Sequence, residues 1–288
     1  MTTARNPSEN IMSLSLLFEQ ARALPVVPRV LQALLTSFDN PALPVNTLAQ
    51  LITSDPVICA RLLRQANSAR YHRPQTISTA NEAVQLLGFM NARSLVISLG
   101  LMSCFEKFPA ELHKTFWQHS LRTAALARRW SVHAGVDGEL AYTLGLLHCL
   151  GQLVMRQGAA TQTLALDAEV GPFAPTRISI ERAAMGYSYA EVGAELVQRW
   201  QFPVLFSEVI GGLDTQPVSP HVATLTALIQ LAAWQSWVSE QPLDSGQVDA
   251  LWPEALAQRI SLPAQQGGSH FGDWTELSEG LQDLLGQP

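Results

Sequence analysis

Residues 139–156, ELAYTLGLLHCLGQLVMR, contain the only adjacent His and Cys of the chain, His148 and Cys149, inside an otherwise apolar run. Leu140, Leu144, Leu147, Gly151 and Val154 recur at helical spacing, and Leu146, Leu150 and Leu153 widen that stripe until little polar surface is left. A helix apolar all round is a buried helix, and polar atoms carried on it need a partner or a metal. The spacing predicts one helix from Leu140 to Arg156, with most of the chain built around it.

The composition supports a packed body. Of 288 residues, 47% are hydrophobic and 15% charged, with mean hydropathy +0.11. This describes a globular chain, and the length suggests about two domains. No apolar run reaches the roughly 20 residues that span a bilayer, and MTTARNPSEN has no leader-type apolar segment. Cys59, Cys104 and Cys149 all sit in apolar helical patterns, as free thiols do in a reducing compartment. A cytoplasmic location with no membrane partner is therefore expected. The net charge of −6 argues against nucleic acid or an anionic membrane as partner. Locally, Arg61, Arg64, Arg70 and Arg73 form a basic patch that could meet a phosphate or an acidic partner, with a solvated helix face as the simpler reading.

Helical spacing dominates from end to end, so the expected fold is all-α. Asp55-Pro56 reads as an N-cap followed by Pro at the first helical position. Thr79-Ala80-Asn81-Glu82 and Ser188-Tyr189-Ala190-Glu191 read as capping boxes, and Ser179 as the cap of a helix ending at Gly186. The sequence divides into an N-terminal helical subdomain (11–105), a second helical subdomain (106–215) and a C-terminal extension (216–288) that is loop-rich between 239 and 273. Glu106-Lys107-Phe108-Pro109 reads as a hinge between the first two. One helix is expected near Val248 to Ile260, and a last amphipathic turn or two at Glu276 to Leu285.

Several ordered stretches carry a resemblance. LPVVPRVLQALL, LAQLITSDPVICARLLRQANSARY and STANEAVQLLG resemble the N-terminal part of the HDOD domain, the HD-related output domain of bacterial signalling proteins. WQHSLRTAALARRW, AYTLGLLHCLGQLV and ERAAMGYSYAEVGAELVQRWQFP resemble its second part, which is similar to the HD-hydrolase helical fold. The resemblance covers about residues 20 to 215. It implies two packed helical subdomains and a role in signal transduction or regulation.

True HD phosphohydrolases bind divalent metal through a His, a His-Asp pair and a later Asp. By resemblance, His119 stands at the first of these positions and His148 at the His of the pair, but Cys149 replaces the Asp. Tyr189 and Gly211-Gly212 stand where many relatives carry histidines. For the later Asp, the nearest polar residues are Asp214 and His221. A Mg²⁺-like centre needs hard oxygen ligands, whereas sulfur suits zinc. Neighbouring residues on a helix point about 100° apart, so His148 and Cys149 would not converge on one zinc ion together with His119 and His221.

The expectation is therefore a remnant pocket of His119, His148, Cys149 and Tyr189, with no catalytic residues, no metal and no cofactor. The chain is read as a stand-alone, non-catalytic regulator that binds partner proteins of a signalling pathway. Trp234 and Trp237 read as core, though a homodimer interface would also account for them. The alternatives are a metal-dependent phosphohydrolase of a nucleotide or phosphoester, and a nucleotide sensor using the remnant pocket.

Overall fold

The computed structural model describes residues 13–21, 26–36, 44–67, 76–105, 110–217 and 219–271. The expected hinge at 106–109, Arg70 and Arg73 of the basic patch, and the expected helical turns at 276–285 lie outside the described residues. Among the described residues the protein is all-α, without strands.

The first group of helices comprises α1 (Leu14–Gln20), α2 (Arg29–Thr36), α3 (Val45–Thr53), α4 (Pro56–Ala66), α5 (Ala80–Leu87) and α6 (Phe89–Cys104). Asp55 starts α4 by accepting from the amides of Val57 and Ile58, with Pro56 filling the first helical position. Thr79 and Glu82 form the full reciprocal capping box of α5. Gly88 then holds φ +79° and ψ 153°, and α6 departs at 118° from α5. No L side chain adopts that backbone conformation readily. Asn67 bridges the chain across 68–76: its Nδ2 donates to Leu63 O and Ile77 O, and its Oδ1 accepts from Ile77 N, each at 2.8 Å.

The second group begins with α7 (Ala110–Ala134) and α8 (Gly138–Leu147), followed by α9 (Leu150–Gly158), α10 (Ala160–Glu169), α11 (Arg177–Met185), α12 (Tyr189–Arg199) and α13 (Val204–Gly211). After these come α14 (Pro220–Val238), α15 (Ser245–Ala250), α16 (Glu254–Arg259) and two 3₁₀ turns at 264–266 and 268–270. Glycines let backbones meet. A Cβ on Gly145 would lie 2.7 Å from Ala124 Cα of α7, and one on Gly151 would lie 2.0 Å from Tyr189 O of α12. The long α14 lies along α7, and Gln235 anchors the following segment by accepting from Gly268 N at 2.8 Å.

The two groups share one apolar core. They are also tied by a polar cluster in which Ser94 of α6 donates to Glu139 of α8, while Arg128 of α7 pairs with Glu139 at 3.0 Å and covers the Tyr142 ring at 4.1 Å. Among the described residues no single helix is long and apolar enough to cross a membrane.

Four local expectations need correction. The helix predicted from Leu140 to Arg156 is broken at its polar pair: His148 ends α8, and Cys149, at φ −113° and ψ 13°, precedes α9. Periodicity runs on through the break because both halves are buried. Ser179 does not cap α11, which starts two residues earlier; its hydroxyl donates to Thr176 O. Ser188 caps α12, but Glu191 does not return the bond, because its carboxylate pairs with Arg182. Finally, the single helix expected near Val248 to Ile260 is split into α15 and α16 ahead of Pro253, whose ring cannot continue α15.

Candidate functional site

The break after α8 places His148 and Cys149 in different surroundings. His148 Nδ1 lies 2.6 Å from Gly145 O. A carbonyl only accepts, so Nδ1 carries the proton and Nε2 the lone pair. Burial pushes the His148 pKa down to about 4, against the opposing effect of that hydrogen bond, and the ring is neutral near pH 7. His119 of α7 faces it with ring centroids 5.4 Å apart, and its Nδ1 lies 3.2 Å from Ser236 Oγ of α14. Burial, then the charges of His148 and Arg122, hold His119 well below the ordinary histidine pKa. The Cys149 thiol turns to Ser120 Oγ at 3.2 Å, and burial pushes its pKa up to about 12, so it stays protonated.

Phe173, on the turn between α10 and α11, lies flat on His119, with centroids 4.0 Å apart and planes 12° apart. The turn is fixed by Gln152, whose Nε2 donates to Pro172 O. Beyond Phe173 opens a cavity of about 770 Å³, walled by α11, the start of α12, the turn after α13, α14 and the start of α16. His148 and Tyr189 are on its wall, together with Ile178, Leu213 and Trp234.

Arg182 and Asp214 supply the charged part of that wall. Arg182 Nε donates to both Asp214 oxygens at 3.2 and 3.1 Å, and its Nη2 pairs with Glu191 at 3.1 Å. Ser188 Oγ donates to Asp214 at 2.6 Å. Behind the wall, Glu181 accepts from Tyr189 N and from Arg177 Nε, each at 2.7 Å. Arg177 continues to Asp167 at 3.0 Å and Asp167 to Arg156 at 2.7 Å, so a run of ion pairs braces α9, α10 and α11 beneath Tyr189.

Of the four residues expected to share a pocket, only His148 and Tyr189 line this cavity. His119 is behind Phe173, and Cys149 points into the core. His221 is exposed in the first turn of α14, fifteen residues and so about 22 Å along the helix from Ser236, the residue that meets His119. Asp214 is on the wall but is already engaged by Arg182 and Ser188. Gly212, one of the two glycines that the resemblance sets against histidines, has no room for a side chain: a Cβ would lie 2.8 Å from Thr226 Oγ1 and 3.0 Å from Glu208 O. On α4, Arg64 is exposed and Arg61 half-buried, its pKa lowered by burial and then by Arg64. Asn67 serves the backbone, as its place at a helix end suggests.

The divalent metal of HD relatives does not fit these donors. A protonated sulfur turned to Ser120 stands where an acidic oxygen is needed, and among the described residues no group of three or more His, Cys, Asp or Glu is placed to hold a metal ion.

The model of the HDOD domain matches residues 24–213, about two thirds of the sequence. The chain belongs to the HDOD family. That family is associated with signalling. An HDOD domain protein of unknown function from Geobacter sulfurreducens has a similar structure, with TM-score 0.71 and 23% identity over 95% of this chain and 96% of that one. A Shewanella amazonensis protein provisionally named a phosphohydrolase gives TM-score 0.64 and 25% identity over 94% and 97%. A Marinobacter aquaeolei protein provisionally named a signal transduction protein gives 0.67 and 19% over 97% and 66%. Among curated proteins, an uncharacterized Treponema pallidum protein is 26% identical over 62% of this chain, and the match spans only 35% of that protein's length.

Within this HDOD chain, sequence reasoning missed Phe173, Ser236, Ser120 and the Arg182–Asp214 pair. Gly171-Pro172 marked a turn, but nothing local showed which ring it would deliver. Ser236 sits between Trp234 and Trp237 in an apolar helix, where a lone hydroxyl signals a buried partner without naming it.

Proposed function

We propose that this HDOD chain is a non-catalytic signalling regulator that acts by binding partner proteins. The observation that carries the reading is the disposition of the HD-position residues: Phe173 covers His119, Gly145 O holds His148 Nδ1, and a protonated Cys149 turns away to Ser120. Metal-assisted hydrolysis needs a cation held by anionic ligands and an activated water, and His119, His148 and a protonated Cys149 supply no negative charge to hold one.

A partner surface is available on the first group of helices. Val57, Ala60 and Arg64 are exposed at helical spacing along α4, with Arg61 half-buried beside them. Such a stripe combines apolar contact with positive charge, a composition suited to an acidic protein face.

The test has two arms. Purified protein incubated with Mn²⁺ and assayed on bis(p-nitrophenyl) phosphate should show neither stoichiometric metal nor turnover. Bound metal, together with activity lost in His148→Ala, would overturn the reading. Affinity capture from the source cells should enrich a defined protein that Val57→Glu releases; capture unchanged by that variant would move the partner surface elsewhere.

A further inference from the structure

The cavity beside His148 is built from two parts of the chain. Residues 173–214 lie in or at the edge of the matched HDOD region, whereas Gln230, Ala233, Trp234, Pro253 and Leu256 lie beyond it. At about 770 Å³ it is of the size that takes a small organic molecule.

The chemistry of the wall selects what could enter. Phe173, Ile178, Leu213 and Trp234 supply ring and aliphatic surface. The wall's charges are Arg182 and Asp214, which pair with each other, and Glu191 adds a further negative charge behind Arg182. One cation is thus set against two anions, and a phosphate or sulfonate would lose its hydration without finding a spare cation. His148 is also on the wall, with Nδ1 turned back to Gly145 O; this leaves its unprotonated Nε2 as an acceptor that no donor reaches among the described residues. Tyr189 adds a second polar side chain to the wall.

We propose that this cavity binds an uncharged aromatic or heteroaromatic molecule that places its rings against Phe173 and Trp234 and donates an N–H to His148 Nε2. The proposal is independent of the protein partner and concerns helices other than α4. It also differs from a nucleotide site, because the phosphates would find no counter-charge on the wall.

A matched pair of fluorescent probes tests it on the full chain. N-phenyl-1-naphthylamine is neutral and carries one N–H; 1-anilinonaphthalene-8-sulfonate is the same skeleton with an anionic group. The neutral probe should saturate at one per chain and the sulfonate should bind at least tenfold more weakly. Ala233→Trp, which fills the cavity, should weaken the neutral probe at least tenfold, and the exposed rim variant Ser179→Trp should do likewise should the first fail to fold. His148→Phe, which keeps a ring but removes the acceptor, should weaken it about fivefold, the worth of one hydrogen bond of about 1 kcal/mol. Absence of saturable binding, equal affinity for the sulfonate, or binding indifferent to a folded filling variant would each overturn the proposal.

Discussion

Phe173 and His119 are stacked face to face, 4.0 Å between centroids and 12° from parallel, so that an aromatic side chain covers the histidine at the first HD ligand position. Phe173→Ala should uncover that ring. Native-state modification by diethyl pyrocarbonate, mapped by mass spectrometry, should be slow at His119 in the parent chain and at least tenfold faster in the variant. The half-buried Phe173 should also contribute about 1–3 kcal/mol to stability, less than the 3–5 kcal/mol of a fully buried Phe.

Placing the acid of HD phosphohydrolases at position 149 should not create a metal site. Cys149 is 1% exposed and faces Ser120, so Cys149→Asp should bury a carboxylate with no cation beside it. Chemical denaturation should show it less stable than Cys149→Ala by roughly 2 kcal/mol or more, and elemental analysis should still find no stoichiometric divalent metal. Stable, metal-loaded Cys149→Asp protein would contradict this geometry.

Stability should fall in mild acid. The unfolded chain takes up a proton on each histidine near pH 6.5, whereas burial keeps folded His148 neutral to about pH 4 and His119 to well below 6.5. The folded state therefore binds fewer protons in this window, and its stability drops as pH falls from 6.5, the His148 part levelling off near pH 4. That part is on the order of 3 kcal/mol from the linkage relation. Urea titrations between pH 7 and 4 should show the slope, and His148→Phe should reduce it; a flat profile would mean the rings are not buried neutral.

Two glycines separate packing from backbone freedom. Gly151→Ala would set a Cβ 2.0 Å from Tyr189 O and 2.6 Å from Gly193 N, both backbone atoms. It should cost about 3 kcal/mol or more in thermal or chemical unfolding, as overpacking against a rigid backbone does. Gly171→Ala meets nothing within 4 Å and should be neutral or stabilising by up to about 1 kcal/mol.

Helical spacing and caps gave the architecture away because both are local. Asp55, Thr79, Asp137 and Ser219 each accept from an amide two or three residues ahead, and the chain shows such pairs directly. The site was legible only in part. His148 and Tyr189 do share a wall, but the break at Cys149 was hidden by apolar residues on either side. Phe173 on His119 and Ser236 on His119 join positions 54 and 117 residues apart in sequence, and no periodicity encodes such contacts. Gly212 was read against relatives as a lost histidine, whereas its neighbour Thr226 shows a positive reason for having no side chain.

Gly88 has a consequence for how long a helix its charge-poor surroundings can form. Ala80 to Cys104 contains only two charged residues, Glu82 and Arg93, and as one continuous rod would be about 37 Å long, enough to enter a lipid bilayer. At Gly88 the backbone instead turns by 118°, so this charge-poor stretch is spent as two short arms rather than one long one, at a position whose backbone angles suit a residue without a side chain.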